Sequence, residues 1–83
     1  MNRVEAPALV RESVQAAVPG TDASALAPDR SLREQLDMDS LDFLGFLEAL
    51  SKRAGKGLDE IDAADARTPE DFADLVIALT DHV

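Results

Sequence analysis

The spacing of apolar residues between positions 40 and 54 constrains the fold more than any other feature of this 83-residue chain. Apolar side chains recur there with the period of an α-helix and fall on one face of it. They are Phe43, Phe46, Leu47, Leu50 and Ala54. Lys52-Arg53 complements the negative end of the helix dipole, and Gly55 is a typical stop. The pattern predicts a helix over residues 40–54.

Helical periodicity also marks both ends of the chain. Residues 4–18 carry apolar side chains at helical spacing and stop at Pro19-Gly20. A last helix begins at Thr68-Pro69-Glu70-Asp71, which offers a capping threonine, a proline suited to the first turn and two acids for the positive dipole end. We expect one further, short helix at about residues 60–65.

The segment between the first two helices, residues 19–39, is long for a connection inside a compact domain. Its leucines are spaced to anchor it on a core, and Ser31 to Gln35 fit one short turn. These leucines are Leu26, Leu32 and Leu36. No stretch alternates apolar and polar residues as a strand does. The chain is therefore predicted to be all-α, a small four-helix bundle of three main helices and one short helix, with a long loop between helices 1 and 2.

Size and composition limit what such a bundle contains. The length suits one small domain, so we expect residues 1–83 to form a single domain. The absence of cysteine excludes disulfides, thiolate metal sites and cysteine catalysis. No segment approaches the ~20 apolar residues of a membrane span. Residues 1–10 lack the apolar region of a signal peptide, and we expect a cytoplasmic location.

The chain has a net charge of −9, and that charge is unevenly distributed. Residues 34–50 hold five acids and no base, residues 51–58 three bases and no acid, and residues 59–83 eight acids and one base. Nucleic acid is disfavoured as a partner, because a polyanion requires a basic surface. The acidity favours partner proteins with basic patches, although it also serves simply to keep a small domain soluble.

Ser40 lies where an acidic loop, with Glu34, Asp37 and Asp39, meets the predicted helix 40–54. A serine at a helix start commonly caps the helix through its hydroxyl. A hydroxyl at such a junction is also exposed to other enzymes and available for covalent modification. The residues alone leave both interpretations open, and one serine can serve both.

The segment 32–42, LREQLDMDSLD, resembles the attachment segment of acyl carrier proteins, in which a leucine-anchored turn leads into Asp-Ser-Leu. The resemblance extends over nearly the whole chain. A first helix, a long loop, a helix that begins at the serine, a short acidic helix and a threonine-capped last helix follow in the order of that family. Asp-Ser-Leu alone is a weak signal, but with this order, size and acidity the chain looks like a free-standing acyl carrier protein.

This resemblance implies that a phosphopantetheinyl transferase esterifies Ser40 with 4′-phosphopantetheine taken from coenzyme A. The thiol of the arm would carry acyl groups as thioesters between acyltransferases, ketosynthases or acyl-ligases, in a fatty-acid, polyketide or another specialised acyl pathway. Asp39 is expected to help present the serine to the transferase, and Leu41 to contact partner enzymes. The carrier itself needs no catalytic residue, and we expect it to be a monomer.

Two further sets of residues follow from the resemblance. The surface that partner enzymes bind is expected to include Asp37, Leu41, Asp42, Gly45 and Glu48. A pocket that shelters the acyl chain is expected to be lined by Leu44, Leu47, Ile61 and Leu75. Core packing alone also explains apolar residues at these positions, so a sheltering role stays open.

Several residues depart from the pattern of fatty-acid carriers. Asp37 and Met38 stand where many of them have glycine or alanine, and Gly45 stands where glutamate is common. The helix 40–54 ends in Lys52-Arg53, whereas this end tends to be acidic in such proteins. The acidic face for basic partners is therefore weakened, and we expect a specialised set of partners.

An enzyme and a calcium-binding protein are less compatible with the sequence. A Ser-His-acid site on Ser40 lacks a base, since the one histidine, His82, lies at the tail. Asp37, Asp39 and Glu48 take positions 1, 3 and 12 of a twelve-residue calcium loop, but an aspartate replaces its required glycine. Neither catalytic residues nor a metal site are predicted.

Two alternatives keep the carrier fold. One is an unmodified helical interaction module, which Ser40 argues against, because loss of the serine is the simplest mark of such a protein. The other is a peptidyl or aminoacyl carrier, in which glycine and a histidine or aspartate usually precede the serine. Met38-Asp39 is more similar to an acyl carrier.

Overall fold

The computed structural model describes residues 4–80, and within that range it contains helices and turns but no strand. The elements are α1 (Glu5–Ala17), a 3₁₀ turn (Ala23–Ala25), α2 (Leu32–Leu36), α3 (Ser40–Ala54) and α4 (Pro69–Thr80). The prediction of an all-α chain with four helices is confirmed for these residues.

The main helices lie where the apolar spacing predicts them. α3 has the predicted bounds, and α1 is one residue shorter at each end than the predicted 4–18. α3 ends at Gly55, whose left-handed backbone (φ 71°) suits glycine. The segment expected to form a single turn at 31–35 is the short helix α2.

Residues 60–65 form consecutive turns in place of the short helix expected there. The carboxylates of Asp59 and Asp62 accept hydrogen bonds from each other's backbone N–H groups, at 2.9 and 3.2 Å, as at a helix start. The Ala63 N–H then closes one α-type bond to the Asp59 carbonyl, and the bonds that follow reach back only three residues. The helix does not extend, because a first turn fixes several residues for a single hydrogen bond.

The core joins the helices through one buried cluster, and α1 packs against both α3 and α4. The rings of Phe46 and Phe72 meet edge to face at 5.0 Å between centroids, which links α3 to α4. Phe43 adds a third ring, 6.2 Å from Phe46 and 6.0 Å from Phe72. The other large, fully buried apolar residues are Leu32, Leu50, Val10, Val14 and Val76.

Gly45 lies inside α3, where glycine costs about 1 kcal/mol relative to alanine. A Cβ atom at this position would meet no side chain or neighbouring element within 4 Å. Packing among residues 4–80 therefore does not require a glycine here.

The connection between α1 and α3 is tied to the rest of the fold by leucines and by two backbone hydrogen bonds. The predicted anchors all contact the core: Leu26, Leu32 and Leu36. The Leu32 N–H donates to the Arg67 carbonyl at 2.8 Å, and the Glu70 N–H donates to the Pro28 carbonyl at 3.2 Å. These two bonds fix the loop against the start of α4.

Gln35 fastens the same loop through its side chain. The side-chain oxygen accepts the Ala27 N–H at 2.8 Å, and the side-chain nitrogen donates to the carbonyls of Ala27 and Arg30, each at 2.9 Å. The amide thus satisfies backbone groups that would otherwise lack partners in a loop without regular structure.

Gln35→Ala removes all three of these bonds. The free energy of unfolding should fall by about 1–3 kcal/mol, because partly buried backbone groups lose their partners. Urea denaturation measures the change. Gln15→Ala, at an exposed position of α1, is the matched control and should change the value by less than about 0.5 kcal/mol. An equal loss in both variants would contradict the role of Gln35.

Candidate functional site

A sharp turn at Asp37 and Met38 sets the direction of α3. Asp37 has a left-handed backbone (φ 51°, ψ 45°), and it is the only non-glycine residue with positive φ in the described range. The N–H groups of Asp37 and Met38 donate to the carbonyls of Glu34 and Arg33, at 3.4 and 2.9 Å, which closes α2. The Met38 side chain is buried, so the acidic loop ends at a fixed point.

Ser40 is the first residue of α3, and Asp39 caps this helix. The Asp39 carboxylate accepts the Asp42 N–H at 2.8 Å. The interpretation of Ser40 as the capping residue is therefore wrong. The Ser40 side chain is exposed, and no group in residues 4–80 forms a hydrogen bond with its hydroxyl.

The first turn of α3 leaves backbone donors beside this hydroxyl. Asp39 takes the N–H groups of Asp42 and Phe43, through its carboxylate and its carbonyl. The N–H groups of Ser40 and Leu41 have no acceptor among residues 4–80. With the positive end of the helix dipole, these donors favour a negatively charged group next to Ser40.

A cavity of about 500 Å³ opens next to Ser40, between α2, the first turn of α3, the turns at 60–66 and the start of α4. Its apolar part consists of Phe43, Ala63, Ala64, Ala66 and Phe72. Its charged residues are Arg33, Glu34, Glu60 and Arg67. The Arg33 guanidinium carbon lies 4.8 Å from the centre of the Phe43 ring, a cation–π contact.

The residues predicted to contact partner enzymes lie in the turn before α3 and along the first half of this helix. Leu41 is 79% exposed, so it contributes almost nothing to the core. Leu41, Leu44 and Glu48 are exposed and have the spacing of one helix face. The other predicted contact residues are the exposed Asp37 and the half-buried Asp42 and Gly45.

Three of the four residues predicted to line an acyl pocket lie together, but not at the cavity beside Ser40. Leu44, Leu47 and Ile61 border a separate, shallow groove of about 520 Å³. Leu75 lies outside this groove, partly buried against the core. The groove and the cavity therefore have different linings, and Ser40 belongs to the cavity.

Sequence reasoning missed the residues that form the cavity. The apolar spacing predicts Phe43 and Phe72 only as core residues. Arg33 and Arg67 are far apart in sequence and come together because the Leu32 N–H bonds to the Arg67 carbonyl. One sequence feature could have drawn attention to Arg67, because it is the single base among the eight acids of residues 59–83.

Hydrogen bonds at the start of α4 hold one wall of the cavity. The Asp71 carboxylate accepts the N–H groups of Arg67 and Thr68, at 3.0 and 3.1 Å, and the Thr68 hydroxyl accepts the Asp71 N–H at 3.0 Å. The N–H of Thr68 and then that of Arg67 lower the pKa of Asp71 from its ordinary 3.8, although burial opposes them.

A protein-family model described as a phosphopantetheine attachment site matches residues 8–76. The match includes the start of α3 and the cavity beside it. The chain belongs to the phosphopantetheine attachment site family. Neither the curated proteins nor the solved structures include a significant match to the chain.

Membership of this family establishes the general function of the domain. The domain is a site of covalent 4′-phosphopantetheine attachment, and it carries substrates for enzymes without being a catalyst itself. Its partners therefore include a phosphopantetheinyl transferase and enzymes that handle acyl groups. An exposed hydroxyl, free backbone donors and an adjoining cavity at the start of α3 fit this cofactor.

Two other features concern the described residues as a whole. No helix in residues 4–80 is long and apolar enough to cross a membrane. The same residues hold no cluster of three or more His, Cys, Asp or Glu side chains that could bind a metal ion. His82, the single histidine, lies outside the described residues.

Asp71→Asn tests the charge at the start of α4. Because the pKa of Asp71 is lowered in the folded protein, its charge contributes stability above pH 3.8, and the contribution is lost as the pH falls through the lowered pKa. Thermal melts of the wild type and the variant should differ at pH 7 and converge below pH 3.8. Asp65→Asn, at an exposed acid, is the control. A difference in Tm that stays constant across this range would refute the assignment.

Proposed function

We propose that residues 1–83 form one acyl carrier domain and that 4′-phosphopantetheine is attached to Ser40. The observation that supports this proposal is the exposed Ser40 hydroxyl at the first position of α3, beside a cap supplied by Asp39. Since Asp39 satisfies the helix start, Ser40 can be esterified without loss of the cap.

The modification forms one bond and breaks another. The Oγ of Ser40 bonds to the phosphorus of 4′-phosphopantetheine, the phosphoanhydride bond of coenzyme A breaks, and adenosine 3′,5′-bisphosphate and the hydroxyl proton leave. The unpaired N–H groups of Ser40 and Leu41 would stabilise the negative charge of the phosphodiester. When attached, the arm supplies a thiol that carries acyl groups as thioesters.

Partner enzymes that reach the arm must contact the surface around Ser40. Leu41 offers an exposed apolar side chain next to the hydroxyl, and Leu44 and Glu48 continue the same face of α3. We assign the partner contacts to this face and to its neighbours Asp37, Asp42 and Gly45. The proposed partners are acyltransferases, ketosynthases or acyl-ligases.

The charges along α3 favour a specialised pathway over general fatty-acid synthesis. Asp42 and Glu48 are the acids of this helix, whereas Lys52 and Arg53 are exposed near its end. A basic enzyme surface that recognises a uniformly acidic helix would meet like charge at that end.

Intact-mass measurement tests the attachment site. Incubation with coenzyme A and a broad-specificity phosphopantetheinyl transferase should add the mass of one phosphopantetheine. Ser40→Ala should abolish the gain without lowering Tm, because the hydroxyl forms no hydrogen bond among residues 4–80. Ser31→Ala, at the same cavity, should keep the gain. A gain that persists in Ser40→Ala would contradict the site, and no gain on the folded wild type would favour an unmodified interaction module.

A ketosynthase of general fatty-acid synthesis tests the specialised pathway. We expect it to elongate acyl groups on this carrier at least about tenfold more slowly than on its own carrier, a ratio equivalent to about 1.4 kcal/mol. The double substitution Lys52→Glu and Arg53→Glu should recover part of the rate by removing the like charges. Equal elongation on both carriers would show that the partner set is not specialised.

A further inference from the structure

The fold brings two arginines to the cavity beside Ser40. The hydrogen bond from the Leu32 N–H to the Arg67 carbonyl, at 2.8 Å, sets the segment before α4 against the first residues of α2. Arg33 follows Leu32, so Arg33 and Arg67 line the same cavity. The Asp71 carboxylate also binds the Arg67 N–H, which fixes the backbone of Arg67.

Neither Arg33 nor Arg67 forms an ion pair within the described part of the chain, although Glu34 and Glu60 also line the cavity. The Arg33 guanidinium stacks on the Phe43 ring at 4.8 Å, and a stacked guanidinium keeps its N–H groups available at its edge. Although the cavity lining holds two arginines and two glutamates, neither arginine is engaged in an ion pair among residues 4–80, so both can bind an anionic ligand.

The size and lining of the cavity define this ligand further. A volume of about 500 Å³ is in the range of small-molecule sites, which bury most of their ligand. The half-buried Phe43 supplies an apolar surface, the buried Phe72 lies behind it, and Ala63 and Ala66 leave the space that larger side chains would fill. The groove at Leu44, by contrast, is not lined by a basic residue. The cavity therefore suits a molecule with an apolar body and a negatively charged group.

We propose that Arg33 and Arg67 make this carrier selective for acyl groups that bear a carboxylate or another anionic group, which bind in the cavity beside Ser40. This inference rests on the proposed attachment at Ser40, because the acyl group reaches the cavity from that residue. The phosphodiester of the arm is a second source of negative charge at the same place, so a test must separate the arm from its cargo.

The experiment compares three forms of the protein, each loaded at Ser40 and verified by intact mass. One form carries phosphopantetheine alone, one a neutral hexanoyl group and one a carboxyl-terminated adipoyl group of the same chain length. The acyl groups are joined by a stable amide in place of the thioester. Tm and the NMR resonances of the arginine Nε–H groups are measured for each form.

The adipoyl form should melt about 4–8 °C above the hexanoyl form, with shifted Nε–H resonances of Arg33 and Arg67. Arg33→Gln and Arg67→Gln should each abolish most of that difference in Tm, and Arg33→Lys should restore part of it. Arg53→Gln, at the far end of α3, is the matched control and should leave the difference unchanged.

Each remaining outcome overturns the proposal in a recognisable way. If the Nε–H resonances of Arg33 and Arg67 shifted fully in the form that carries phosphopantetheine alone, the arginines would bind the phosphodiester and not the acyl group. Equal Tm values for the hexanoyl and adipoyl forms would show that the cavity does not recognise the carboxylate. If Arg53→Gln lowered the difference in Tm as much as Arg33→Gln and Arg67→Gln do, the selectivity would come from overall charge. These results leave attachment at Ser40 intact, whereas the absence of any mass gain there would refute the proposed function together with this inference.

Discussion

The three phenylalanine rings support both the bundle and the candidate site. The contact between Phe46 and Phe72 joins α3 to α4 in the core. Phe43 packs on both rings, stays half-buried and provides the apolar surface of the cavity beside Ser40. The chain has no tryptophan or tyrosine, so no other side chain supplies comparable area. Core packing and the shape of the site therefore depend on the same ring.

The residues from Asp37 to Ser40 have separate tasks that together expose one hydroxyl. Asp37 takes the left-handed turn, which aspartate tolerates better than most side chains, so the departure from glycine at this position preserves the turn. Met38 is buried and anchors the turn, and Asp39 caps α3. The Ser40 hydroxyl neither caps α3 nor forms a hydrogen bond among the described residues, which suits a group that another enzyme modifies.

Local patterns predicted the features that local forces decide. The apolar stripe gave the bounds of α3, and Thr68-Pro69 gave the start of α4. The prediction of a helix at 60–65 was wrong, because the two aspartate caps start a turn but do not extend it into a helix. The cavity could not be predicted from the sequence, since Arg33 and Arg67 are brought to it by a hydrogen bond between distant segments. No periodicity in the sequence reports such a contact.

The turns at 59–66 form one wall of the cavity, and their mechanical character differs from that of the helices. The small buried side chain of Ala63, a few backbone bonds and the mutual caps of Asp59 and Asp62 hold this wall, whereas α3 buries the larger side chains of Phe46, Leu47 and Leu50 in the core. Segments of this kind open locally at a fraction of the global free energy of unfolding. We therefore expect this wall to open locally while the bundle stays folded, so that the width of the cavity can change without a cooperative transition of the protein.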